Sequence, residues 1–289
     1  MQSIFSTQIY NCSIQTEVVE VTFMHVHENN IDTKISSNYG GHKTELEEFK
    51  NNVYLPMRTK IESLDLSIGR SAFDEATAIL NDYWNELHSF AVKHQIKSQS
   101  KFESTFLEEI SYYLFHDLDE IKSGQLSIFN KRIYAGLKIN EDSSISVITK
   151  DVDFCIGKKI ILTIDDQKPE ALIIPAISVE VKTYLDATMF GEIKSSSKTL
   201  KSSTPNSRAY VLMGYKCIAD EHIIAARQDS TLDEMFALQE KEGSKIDSET
   251  LYEYYNEIKS AISQLGATQS VSTPGRLLKY VESIDKMEI

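Results

Sequence analysis

Residues 178–186, SVEVKTYLD, set a carboxylate and an ammonium two positions apart inside a run rich in β-branched side chains. In a strand a spacing of two means a common face, so Glu180 and Lys182 stand together, opposite Ile177, Val179 and Val181. DVDFCIG at 151–157 alternates in the same way, with Asp151, Asp153 and Cys155 on one side and Val152, Phe154 and Ile156 on the other. If these strands are neighbours, acids and lysine converge at the sheet edge. Converging carboxylates repel, and the repulsion either raises one pKa or recruits a cation. Oxygen ligands from one or two carboxylates are what Mg²⁺ takes when it also binds phosphate. A lysine beside the cation can orient or deprotonate a water, or steady charge developing on phosphorus. Such a set suits hydrolysis of a phosphodiester. The same spacing also suits a cross-strand salt-bridge cluster on an exposed sheet face.

Glu-x-Lys begins at Glu48, Glu120, Glu180, Glu192 and Glu257, so the tripeptide alone selects nothing. The other four lie in helical or helix-end surroundings, where residues two apart point in different directions. They read as solvated charged faces.

Several elements must position the selected residues. Residues 4–27 contain strand-like material, notably EVVEVTFMHVH, and HENNIDTKISSNYGGHK at 27–43 is loop-like. Helix signals dominate from about 44 to 117. Phe73, Ala76, Ile79, Leu80, Tyr83, Leu87 and Phe90 recur at helical spacing, as do Phe106, Ile110 and Leu114. SSISVITK (143–150), DVDFCIG (151–157) and KIILTI (159–164) then read as short strands, and DDQKPE (165–170) as a turn. ALIIPAISVEVKTYL continues as a long strand, 186–204 as a helix or loop, and RAYVLMGYKCI as a buried strand. SETLYEYYNEIKSAISQL (248–265) is a helix for which Ser248 is the expected cap, with Leu251, Tyr255 and Ile258 in the core. The order predicts an α/β (α+β) fold with one central mixed sheet, a largely helical N-terminal region and a helical C-terminal tail.

The chain has 289 residues with a formal net charge of −13, 41% hydrophobic and 25% charged, the composition of an ordered globular protein. The acidic balance argues against indiscriminate coating of nucleic acid, although distribution matters more than the sum. Residues 180–216 carry Lys182, Lys194, Lys198, Lys201, Arg208 and Lys216 against only Glu180, Asp186 and Glu192. No long apolar run is present, the N-terminus does not read as a secretory signal, and three scattered cysteines suggest no disulfide framework. An intracellular location is expected. His25-Val-His27 has the spacing of a zinc pair but no third ligand nearby, Gly157-Lys158-Lys159 lacks the glycines of a phosphate loop, and no serine or cysteine nucleophile motif occurs.

Asp153 in DVDFCIG, then Glu180-Val181-Lys182 at the end of a hairpin, preceded by the acidic helix STFLEEISYYLF, resembles the PD-(D/E)XK nuclease superfamily. Within it, EVKTYLDATM and LEEISYYLF resemble type II restriction endonucleases, including subunits of the BbvCI-like heterodimeric kind. The resemblance implies an αβββαβ core over 101–218, an N-terminal region 1–100 available for DNA recognition, and a C-terminal extension 219–289. It implies that Asp153 and Glu180 hold Mg²⁺, that Lys182 is the catalytic lysine, and that a helix acid falls on Glu108 or Glu109. Helical phase leaves both glutamates open, and Asp151 is the alternative to Asp153. Val152 stands where the superfamily's eponymous proline would be, and the interval from Asp153 to Glu180 requires an extended hairpin.

On that resemblance the chain is a bacterial, cytoplasmic, site-specific deoxyribonuclease using Mg²⁺-activated water on double-stranded DNA. Lys194, Lys198, Lys201 and Arg208 are candidates for phosphate contacts, with a solubilising role as their alternative. One such centre cuts one strand, so double-strand cleavage calls for a second copy or a related second subunit. The rival readings are a non-catalytic DNA-binding or assembly subunit, and a repair or RNA-directed nuclease on the same scaffold.

Overall fold

The computed structural model describes residues 25–130, 132–164, 168–226 and 230–265. Its first half is helical: α1 (Val26–Ser36), α2 (Lys43–Phe49), α3 (Leu55–Glu62), α4 (Arg70–Lys93), α5 (Ser104–Phe115) and the short α6 (Asp119–Lys122). A π-helical stretch, Lys50–Tyr54, joins α2 to α3. Helix α1 occupies sequence expected to be strand and loop. His27, Ile31 and Lys34 form its buried stripe at spacings of four and three, and packing of that stripe overrides the weak helix propensity of an Asn- and Asp-rich segment. The remainder of the expected N-terminal strand lies outside the described residues.

After α6 come β1 (Ser127–Phe129), β2 (Ile133–Ile139), β3 (Ile145–Lys150), β4 (Phe154–Leu162), β5 (Glu170–Leu185), α7 (Ala187–Ser203), β6 (Arg208–Lys216), α8 (Asp220–Ala226), β7 (Glu234–Ala237) and α9 (Ser248–Ser263). The central sheet runs β1-β4-β5-β6-β7. Its first two pairings are antiparallel and its last two parallel, which makes the sheet mixed. Asp186 ends β5 and opens α7 by accepting from Met189 N at 2.8 Å, and α7 returns the chain to the parallel strand β6.

Three local expectations are corrected. SISVITK is not a strand of the central sheet: β3 pairs only with β2, in a separate hairpin. DVDFCIG and KIILTI are one strand, β4, with an irregularity at Ile156/Gly157 instead of a break. Gly157 fits there because a Cβ would lie 2.3 Å from the Ile174 carbonyl oxygen of β5. The cap of α9 is Asp247, which accepts from Thr250 N at 2.8 Å, while the Ser248 hydroxyl donates to Asp74.

One apolar cluster runs from α1 through α4 and α5 to the sheet residues Phe154, Ile156, Val179 and Val181, and on to Tyr254 and Ile258 of α9. Leu251, Tyr255 and Ile258 are buried as expected. A second cluster packs Phe190 and Ile193 of α7 on Val211 and Met213 of β6. Helix α5 is buried on nearly all sides; Ser104, Glu108 and Tyr112, spaced by four, form its half-open edge.

Candidate active site

The site forms where β4 and β5 part. Their register closes at Phe154 opposite Val179, and Asp153 lies in a bend just before β4. The bend breaks the expected alternation: Val152 packs with Cys155, Phe129, Ile133 and Leu200, whereas Phe154 and Ile156 enter the main core. Asp153 Oδ2 accepts from Val181 N at 2.8 Å, so a side chain extends the ladder past the last strand pair. The same oxygen accepts from Lys182 Nζ at 3.2 Å. Lys182 Nζ also lies 3.5 Å from Glu180 Oε2 and donates to the Val181 carbonyl at 3.1 Å. The predicted convergence of Asp153, Glu180 and Lys182 is thus present.

Burial alone would lower the pKa of Lys182, but the Asp153 and Glu180 carboxylates overcome that cost and hold it above its ordinary value. Lys182 is therefore an ammonium donor at neutral pH. The three side chains are 16–29% exposed, open enough for a ligand and buried enough to escape full screening.

The two helix glutamates separate. Glu109 is wholly buried: Oε2 accepts from His27 N at 2.7 Å, and Oε1 accepts from the Tyr54 hydroxyl at 2.7 Å and from the Tyr113 hydroxyl. Burial would raise its pKa, yet these donors together with His25 and His27 hold it below the ordinary range. Its oxygens are committed to the helical core. Glu108 lies on the open edge of α5. Burial, with Asp153 as the nearest like charge, pushes its carboxyl up to about 7. The spacing of Glu108 with Ser104 and Tyr112 was the one sequence signal that separates the pair. His27 is no metal ligand here: its ring nitrogens meet Thr105 Oγ1 at 3.0 Å and Tyr83 Oη at 2.6 Å, and burial lowers its pKa to about 4.

A cavity of about 500 Å³ opens beside the acids, lined by Lys101, Glu108, Asn130, Arg132, Asp151, Val152 and Asp153. Asp151 is exposed on its wall, near Asp153 but outside the Val181–Lys182 bonding. Lys101, Asn130 and Arg132 were not expected from the sequence, since they come from two separate turns. Lys150 was also missed: its Nζ lies 2.6 Å from Glu180 Oε1. Of the four basic candidates following the strand, Lys201 and Arg208 both pair with Asp233, at 2.7 and 2.9 Å. Lys194 lies over the Phe190 ring, and Lys198 is exposed on α7.

No three His, Cys, Asp or Glu side chains among the described residues converge into a ready metal cage. The donor chemistry still fits a hard cation. Glu108 is driven toward its neutral form by burial and by Asp153, a repulsion that a divalent ion would relieve, and Mg²⁺ needs only one or two carboxylates when phosphate supplies further oxygens.

An acidic helix, an antiparallel strand trio, a helical crossover to a parallel strand and an acid–lysine cluster at the strand divergence are the arrangement that the sequence resemblance to type II restriction endonucleases implied. The chain belongs to the Bpu10I restriction endonuclease family, whose model matches residues 99–262, more than half of the sequence. Among solved structures, a chain of the native BbvCI A2B2 tetramer at low resolution superposes with a TM-score of 0.70 over 86% of this chain and 100% of that one. The two are 15% identical, so this likeness speaks to the fold. No curated protein matches the sequence significantly. No helix among the described residues is long and apolar enough to cross a membrane.

Proposed function

We propose that this chain is a catalytic, site-specific endodeoxyribonuclease that hydrolyses DNA phosphodiesters with Mg²⁺, and that it acts in the bacterial cytoplasm. The observation that carries this reading is the shared Asp153 oxygen, which draws Lys182 against Glu180, while Glu108 lines the same cavity as Asp153. Asp153, Glu180 and Glu108 would hold the cation, with Asp151 near enough to assist. When bound, Mg²⁺ would supply Lewis-acid polarisation of the phosphoryl oxygens and a lowered pKa for water.

The chain's own groups do the rest. The Lys182 ammonium is held by two carboxylates and one carbonyl, and on releasing the longest of these contacts, to Glu180 at 3.5 Å, it would donate to the attacking water or a non-bridging phosphate oxygen. Glu108, which burial and the Asp153 charge push up to about 7 when no cation is bound, would be drawn into its carboxylate form on holding Mg²⁺. Lys101, Asn130 and Arg132 line the adjoining cavity and would meet the phosphate backbone. Lys194 and Lys198 remain phosphate candidates on α7, while Lys201 and Arg208 would have to leave Asp233 first.

Residues 1–100 are the proposed recognition region, 101–218 the nuclease core and 219–289 its extension. A second copy or a related subunit completes double-strand cleavage. The rival of a non-catalytic subunit is disfavoured by the complete acid–lysine set. The test is digestion of plasmid DNA by the purified chain, alone and with the product of a neighbouring gene, with and without Mg²⁺. Discrete fragments or a sequence-defined nick, lost in Lys182→Ala, support the proposal. Undiminished cutting by Lys182→Ala would remove the site assignment, and cutting of RNA alone would favour the other nuclease reading.

A further inference from the structure

Glu180 is held by two lysines, one on each oxygen. Lys182 approaches Oε2 at 3.5 Å from the same strand, whereas Lys150 approaches Oε1 at the shorter distance of 2.6 Å from the end of β3. The sheet geometry explains why Lys150 arrives there. Its backbone pairs with Ile133, whose side chain is fully buried against Val152, Cys155 and Leu200, and the Ser203 hydroxyl of α7 donates to the Ala135 carbonyl of the same hairpin. The hairpin base is thus clamped to α7 while its last lysine reaches across to β5.

A cation held by Glu180 would compete with the Lys150 ammonium for the carboxylate, because two positive groups on one oxygen repel strongly in a partly desolvated site. Lys182 does not have this conflict to the same degree, since Asp153 Oδ2 also holds it. Lys150 has no second carboxylate among the described residues, and its side chain is 19% exposed, so it has a path outward. Only Asp151 and Val152 separate Lys150 from Asp153, which places any released ammonium beside the same centre.

We infer that Lys150 is a further residue of the active site: it serves as Glu180's counter-ion in the DNA-free, metal-free chain, yields Oε1 to the divalent cation, and then contacts the scissile phosphate. This rests on the nuclease reading above and adds a competition between a lysine and the metal. The exchange moves no covalent bond; one ion pair is replaced by another.

The probe is Mn²⁺ alone, titrated into DNA-free full-length protein and followed by loss of the free-ion electron paramagnetic resonance signal. Lys150→Met is expected to bind Mn²⁺ about three- to tenfold more tightly than wild type, Lys150→Arg to stay within about twofold, and Glu180→Gln to bind far more weakly. At saturating Mn²⁺, plasmid cutting by Lys150→Met is expected to fall at least about tenfold, with partial recovery in Lys150→Arg. Equal Mn²⁺ affinity in wild type and Lys150→Met, with binding still lost in Glu180→Gln, overturns the competition and leaves the nuclease reading standing. Tighter Mn²⁺ with wild-type cutting overturns the phosphate contact. Absence of Mn²⁺ binding in every form overturns this inference, whereas plasmid cutting in Mg²⁺ against EDTA decides the reading on which it rests. Thermal melts of each variant identify misfolding, and Lys150→Gln then replaces Lys150→Met in the same titration.

Discussion

Glu108 and Glu109 are adjacent in sequence, yet Glu109 is enclosed by His27, Tyr54 and Tyr113 while Glu108 lines the open cavity that Asp153 also borders. One peptide bond separates a group that organises the helical core from one that can face a ligand. Truncation should therefore have opposite signatures. Glu109→Ala leaves two buried tyrosine hydroxyls and a backbone N–H without their acceptor and should cost roughly 3–5 kcal/mol. Glu108→Gln should fold normally and lose cutting. Chemical denaturation beside plasmid digestion separates them; a Glu109→Ala protein as stable as wild type would contradict the assigned role.

Glu108 also sets a pH dependence. Its folded pKa of about 7 lies above its ordinary 4.5, so the folded state holds the extra proton between those values. Its stabilising contribution is complete below about 4.5 and is lost as pH rises through about 7. Glu108→Gln should accordingly be more stable than wild type at pH 8, by about 1–2 kcal/mol after allowance for partial solvation, and the advantage should vanish near pH 4.5. Paired melting curves across that range decide it. A mutant less stable at pH 8 than at pH 5, relative to wild type, would show that the carboxyl is not held neutral.

Asp153 bonds both a backbone amide of β5 and the lysine, so replacing it touches geometry as well as charge. Asp153→Asn can keep the Val181 bond through its amide oxygen while removing the negative charge. Cutting should drop by about 10²-fold or more with little change in melting temperature. Equal activity would shift the ligand role to Asp151.

Gly214 lies on β6 near Lys182. A Cβ there would sit 2.3 Å from the Thr183 carbonyl oxygen, which is backbone and cannot rotate aside. Gly214→Ala should destabilise by roughly 1–3 kcal/mol and reduce cutting by displacing the strand segment next to the lysine. Denaturation and digestion of the same preparation check both effects.

Much of the candidate site's strand was legible because a spacing of two has only one meaning in a strand: Glu180 and Lys182 had to share a face, and Asp153 became their partner once β4 lay beside β5. What escaped depends on tertiary contacts. The choice of Glu108 over Glu109 turns on tyrosines and a histidine from distant helices. Helix α1 hides in an Asn-rich segment because its stripe is short and only packing stabilises it. Lys150 looked like the end of a core strand, and only the separate β2–β3 hairpin brings it to Glu180. The Lys201 and Arg208 charges looked free until Asp233 was seen to face both.

The central claim is that the Asp153–Glu180–Lys182 cluster cuts DNA, and Lys182→Ala tests it most directly. Supercoiled plasmid containing many sequence contexts is incubated with wild type and variant, with the neighbouring gene's product present, in Mg²⁺ and in EDTA. Wild type should give discrete fragments or site-defined nicks in Mg²⁺ only, and a normally folded Lys182→Ala should cut at least about 10²-fold more slowly. Cutting by the variant at the wild-type rate, or by wild type in EDTA, would contradict the claim.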